Sequence, residues 1–126
     1  MNGWREKGLR AAGAAKVLFG SGHWEGAIDR AYYAMFDAAR AALYSVDEKL
    51  ADSKTHLTIR TRFSQFVILE RGFDRDTGRL LAQVENARLP PDYSMKDVSA
   101  ASARQAIESM DAFMVSVAVF LKTEYP

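Results

Sequence analysis

The sequence predicts an all-α protein folded as an antiparallel up-and-down helical bundle of four to five helices. Three observations predict it. Apolar residues recur at helical spacing through several long segments. The apolar–polar alternation of a half-buried strand is almost absent. Helix breakers are scarce and clustered, with Pro90, Pro91 and Pro126 the only prolines. The 126 residues fit one domain over 1–126 and bury enough surface to fold without staples.

A first helix is expected over Asn2 to Phe19, ended by Gly20-Ser21-Gly22. A second is expected from Trp24 to Val46. There Ile28, Ala31, Tyr32, Met35, Ala39, Ala42 and Leu43 form a wide buried stripe. Ala34, Ala38 and Ala41 would let a neighbouring helix approach closely. Ser53 is the expected N-cap of a third helix, over about 54–71, with Leu57, Ile59, Phe63, Phe66, Val67 and Leu69 on its apolar face. A fourth follows over about 75–88. The segment "LPPDYS" then forces an extended turn. Ser94 and Asp97 resemble a capping box for a last helix over about 95–124.

Composition excludes several function classes. Lys and Arg number 17 against 16 Asp and Glu, so a net charge of +1 leaves no global footprint for nucleic acid. Any such site must be local. The lack of cysteine excludes disulfides, zinc thiolates and a cysteine nucleophile, and makes a cytoplasmic location the default expectation. The basic, Ala-rich N-terminus imitates a signal peptide, but Lys16 interrupts its apolar run. The uncharged run "AFMVSVAVFL", residues 112–121, is half a membrane span and reads as core. No metal site is expected. His23 and His56 are the only histidines, and neither belongs to a Glu-x-x-His or His-x-x-x-His pair. "GSG" at 20–22 lacks the lysine and strand of a phosphate loop. A Ser-His-Asp set drawn with Ser53 or Ser94 has no nucleophile elbow around it.

Three polar segments remain. "SKTHLTIRTRF", residues 53–63, opens a helix whose free N–H groups attract anions, with Lys54 and His56 as further donors and Arg60 one turn on. It reads either as a capped surface helix or as a phosphate or RNA-backbone contact. "ENARLPPDYS", residues 85–94, sets Arg88 beside Asp92 and Tyr93, either as a structural tie or as a phosphate site in which Asp92 orients the arginine. On the second helix, Arg30, Tyr33, Asp37 and Arg40 share one side. That side is either a salt-bridged interface or one wall of a cleft. Tyr32, Met35 and Phe36 read as core.

The motifs "RAYYAMFDAARAAL", "SKTH" and "ARLPPDY", in this order, resemble the HEPN-domain family, and within it the small stand-alone prokaryotic members. The resemblance implies an up-and-down helical bundle, usually dimeric, so a homodimer is expected; no cofactor is expected. It also implies association with nucleotides or RNA, and pairing with a minimal nucleotidyltransferase in toxin–antitoxin-like systems. Carried over by motif, the ligand-binding residues would be Arg30, Tyr33 and Asp37, then Lys54 and His56, then Arg88, Asp92 and Tyr93. The family often has histidine where this chain has Asp37.

The ribonuclease members carry an arginine followed, after four to six residues, by a histidine. Here the corresponding windows hold Lys16, Val17 and Leu18 before His23, and Lys49, Leu50 and Ala51 before His56. Lysine does not replace a guanidinium fork on a scissile phosphate. Three readings therefore stand. The first is a nucleotide- or RNA-binding module docked on a nucleotidyltransferase. The second is a metal-independent ribonuclease using His56 with Arg88 or Arg60. The third is a purely structural dimerisation bundle.

Overall fold

The structure, a computed structural model, describes residues 2–88 and 98–124. Helices α1 (Gly3–Gly20) and α2 (Trp24–Val46) form a tight hairpin. Gly22 makes the turn with φ of 78°, a conformation that costs glycine no steric penalty. The two helices are antiparallel. The Asn2 side-chain amide donates to the Ala41 carbonyl at 2.9 Å at one end, and Gly26 packs on Leu18 at the other.

Beyond α2 the chain passes a 3-10 turn (Glu48–Ala51) and enters α3 (His56–Arg62), which continues as a π-helix over Phe63–Leu69. The N-cap is Thr55, not Ser53. Thr55 Oγ1 accepts from the Thr58 N–H at 3.3 Å, whereas Ser53 Oγ accepts from the Thr55 N–H at 3.2 Å and so closes the turn before the helix. The expected single α-helix over 54–71 is thus shorter and changes pitch. The Glu70 N–H donates to the Gln65 carbonyl, five residues back, at 3.1 Å. The wider turn shifts the register, and Leu69 faces solvent rather than the core; Leu57 is exposed as well. Gly72, with φ of 73°, ends the segment, and the Phe73 N–H reaches back to the Val67 carbonyl at 3.2 Å.

Helix α4 (Arg75–Arg88) begins at Asp74, whose Oδ2 accepts from both the N–H and the hydroxyl of Thr77. These bonds hold the Asp74 carboxyl below its usual range, the backbone bond most strongly. Helix α5 spans Ala100–Glu124. Its expected cap residues, Ser94 and Asp97, lie outside the described residues. Ser99 caps it instead. Ser99 Oγ accepts from the Ser102 N–H at 3.1 Å, and Ser102 Oγ accepts from the Ser99 N–H at 2.9 Å.

Among the described residues all the regular structure is helical. The long helices alternate in direction. Tyr32 meets Glu85 and Asp29 meets Arg88 across α2 and α4, while Lys16 meets Asp111 and Phe19 meets Arg104 across α1 and α5. Helix α2 is the central member and packs against every other helix. More than half of its 23 residues are buried. Phe63, Phe73, Phe113 and Phe120 close the other end of the core, with centroids 5.1–6.3 Å apart in tilted or edge-to-face pairs. No described helix is long and apolar enough to cross a membrane.

The α1–α2 contact rests on Gly8. A Cβ built there would stand 3.1 Å from the Ala34 carbonyl oxygen and 3.4 Å from the Ala38 nitrogen. Backbone cannot retreat as a flexible side chain can. Gly8→Leu is therefore expected to destabilise the fold by about 1–3 kcal/mol through overpacking. Urea denaturation checks this as a lower midpoint at unchanged slope.

Candidate functional site

The close packing of α1 on α2 leaves a cleft beside it, of about 590 Å³, roofed at one side by the start of α3. Lys7 and Arg10 line it from α1. Arg30, Tyr33, Phe36, Asp37 and Arg40 line it from α2, and His56 lines it from α3. The wall is cationic, aromatic and supplied with a single carboxylate. The shared face expected for Arg30, Tyr33, Asp37 and Arg40 is therefore one wall of a cleft rather than a salt-bridged interface.

The position of His56 is fixed by two arginines that hold the segment before it. Arg40 donates through Nε and Nη2 to the Ala51 carbonyl, at 3.2 and 2.9 Å, and through Nη2 to the Ser53 carbonyl at 2.7 Å. Its guanidinium lies 3.9 Å from the Trp4 ring centroid, a cation–π contact that ties α1 to the same point. Arg62 Nη1 donates to the carbonyls of Leu50 and Asp52 at 3.0 and 3.2 Å. Carbonyls with no regular partner are satisfied, and a loop becomes a fixed platform.

His56 stacks on Phe36 with centroids 4.1 Å apart. Its Nδ1 lies 3.0 Å from the Tyr32 hydroxyl, which also donates to Glu85 Oε2 at 2.9 Å. Arg60 Nη1 pairs with the other oxygen, Glu85 Oε1, at 2.5 Å. An ionised carboxylate only accepts. The Tyr32 proton is therefore committed to Glu85, and the tyrosine oxygen must accept from His56 Nδ1–H. This chain fixes the imidazole tautomer and leaves Nε2 as the acceptor nitrogen. Burial, and secondarily the Arg88 charge, push the His56 pKa below its ordinary value of 6.5, so the ring is neutral at pH 7. Burial and the Glu85 bond raise the Tyr32 phenol well above its usual range.

Arg88 sits at the edge of this group. Its Nε donates to Asp29 Oδ1 at 3.0 Å and its Nη2 to the Tyr33 hydroxyl at 2.9 Å, with its guanidinium near both tyrosine rings. The partners expected for it, Asp92 and Tyr93, lie outside the described residues. Lys54 is exposed. Of the expected site residues, the fold brings Arg30, Tyr33, Asp37 and His56 to one cleft and sets Arg88 against Tyr33.

Sequence reasoning missed Lys7, Arg10 and Glu85. Lys7, Arg10, Ala11 and Ala14 follow one helical face, so their spacing carried a signal. Glu85 stands one turn before Arg88, which faces the same helix. Tyr32, read as core, is fully buried and also carries the hydroxyl that orients His56. Among the described residues, no group of three or more metal-ligating side chains is placed to hold an ion.

The model of the HEPN domain family matches residues 1–119. A Methanocaldococcus jannaschii protein that carries the name "Putative toxin MJ0605" is 28% identical over 109 residues, spanning 86% of this chain and 79% of that protein. No solved structure matches the chain.

Two outcomes follow from the Glu85–Tyr32–His56 chain. In Glu85→Gln the amide can donate to the Tyr32 oxygen. The tyrosine proton then turns to His56 Nδ1, and the ring adopts the Nε2–H tautomer. Nitrogen chemical shifts of labelled histidine read this directly, with the wild type at Nδ1–H. Stability also gains a pH dependence. With its folded pKa depressed, His56 binds a proton more readily in the unfolded chain. Its contribution is intact above the unfolded value of 6.5 and is lost as pH falls through the lower folded value. Thermal melts from pH 7.5 to 5 should decline in wild type and decline less in His56→Gln.

Proposed function

The chain belongs to the HEPN domain family, and from that premise we propose that it is a nucleotide- or RNA-binding module of a toxin–antitoxin-like system. The ligand lies in the cleft between α1 and α2. One observation carries this reading: Lys7, Arg10 and Arg30 converge on a cleft that also presents the rings of Tyr33 and His56. Cations take phosphate, and aromatic faces take bases regardless of sequence. A nearly neutral chain thereby gains a local cationic site. The matched relative's name supports the toxin–antitoxin setting. The partners proposed with it are a second copy of the chain and a minimal nucleotidyltransferase.

Metal-independent RNA cleavage is the second reading, and the neutral, oriented His56 ring favours it as a general base. Against it, both arginines named for the phosphate role are engaged, Arg60 by Glu85 and Arg88 by Asp29 and Tyr33. Binding without cleavage is the better-supported activity.

Thermal melting with ATP, other nucleotides and short single-stranded RNA tests the proposal. A ligand at 100 times its dissociation constant adds roughly 2.7 kcal/mol, several degrees for a chain of this size. The rise is expected for at least one ligand and should vanish in the Arg10→Ala/Arg30→Ala double variant. Flat melts for every ligand would reject the cleft as a nucleotide or RNA site.

A further inference from the structure

The cleft contains one group that phosphate binding does not explain. Asp37 is only 6% exposed, yet it lines the cleft. Among the described residues no hydrogen bond and no ion pair within 4.0 Å reaches its carboxylate. Its oxygens are not fully enclosed and so open onto the cleft, yet the burial of the group around them still costs the charged form. Lys7 and Arg40 act on it favourably but do not offset its burial, which still raises its pKa. An acid at the centre of a cationic site also repels the phosphate those cations attract.

We propose that Asp37 and the Nε2 atom of His56 form an acceptor pair that reads the ribose hydroxyls of a ribonucleotide unit, making the cleft selective for ribo- over deoxyribo-ligands. The inference rests on the proposed nucleotide or RNA site. Both groups are acceptors: an ionised carboxylate has no proton to give, and the Tyr32 oxygen takes the only imidazole proton. Ionised phosphates likewise offer only acceptors, so neither group serves the phosphate. Both groups require a ligand that donates.

In a nucleotide the donors are the sugar hydroxyls and the amino and ring N–H groups of the base. Position chooses between them. Asp37 lies in the field of Arg40 and of Lys7, one of the proposed phosphate-binding cations. The hydroxyls of the sugar are the donors nearest a phosphate, while the base donors lie beyond it. Asp37 from α2 and His56 from α3 both line this one cleft, which brings the two acceptors to a common space. Glu85 and Tyr32 are positioning residues: they hold the tautomer and need not touch the ligand.

The test compares ligands that differ only in the hydroxyl. ATP and 2′-deoxyATP are titrated by calorimetry, and a short single-stranded RNA and the DNA of the same sequence by fluorescence anisotropy. The wild type is expected to bind the ribo member of at least one pair about tenfold tighter or more, equivalent to about 1.4 kcal/mol. A preference in the ATP pair identifies a free nucleotide, and one in the oligonucleotide pair alone identifies an RNA chain. In Asp37→Ala, and in His56→Phe, which keeps a ring on Phe36, the ratio should fall below threefold. Should Asp37→Ala fail to fold, Asp37→Leu, of similar size and without an acceptor, takes its place, and should His56→Phe fail, His56→Leu does, each with the same expectation. Ribo and deoxy ligands bound within threefold by the wild type would overturn the inference and leave the proposed site standing. No binding of any of the four would overturn both. An undiminished preference in the folded variants would show that other groups read the sugar.

Discussion

Everything in this structure depends on how closely α1 can approach α2. Helix α2 presents small residues where α1 lies against it, and Gly8 removes the last side chain from the contact. Burial of apolar area is worth roughly 25 cal/mol per Å², but here its value is geometric as well as energetic. With the backbones in near contact, Lys7 and Arg10 on α1 stand over the polar side of α2. A bulky residue at the crossing would separate the two walls and disperse their charge. The interaction that stabilises the hairpin is therefore also the one that assembles the cleft.

Tyr32 joins the core to the cleft at a single atom. Its ring is fully buried, and its hydroxyl connects His56 on α3 with Glu85 on α4. A buried hydroxyl without partners would cost the fold free energy. Satisfying it with two side chains from different helices makes the histidine's tautomer a consequence of tertiary packing. The site is rigid for the same reason: Arg40 and Arg62 hold the preceding loop by its carbonyls, and Arg60 holds Glu85. Three arginines are thus structural ties, and among the described residues Lys7, Arg10 and Arg30 line the cleft without an ion pair.

Periodicity made much of this legible. The bounds of α2 and α4 are those the apolar spacing predicts, and four polar residues of α2 share a face because 3.6 residues make a turn. Caps were less legible. Ser53 is a plausible cap residue by type, but its hydroxyl is taken by the Thr55 N–H and its carbonyl by Arg40 from another helix, and Thr55 caps α3. The π-helix left no mark in composition, so Leu69 was misplaced on the buried face, and Leu57, in the first turn of α3, is exposed as well. Arg88 illustrates the remaining limit. Its need for a carboxylate was readable, and among the described residues Asp29, far away in sequence, accepts from it, while the expected Asp92 lies outside them. Local spacing cannot choose among acids when helix packing decides which one arrives.

The same reasoning explains why the charge balance of the chain said little about its chemistry. A net charge of +1 averages over a surface on which acids and bases are mostly interspersed. The cleft departs from that average because helix faces sort charge by residue spacing, and two such faces meet. Four cations and one carboxylate then share a volume of about 590 Å³. At that density the exception matters more than the excess. Phosphate affinity alone would favour an apolar or basic residue at position 37, since a buried acid weakens both folding and anion binding. A carboxylate with no partner among the described residues makes chemical sense where the ligand itself supplies the donor.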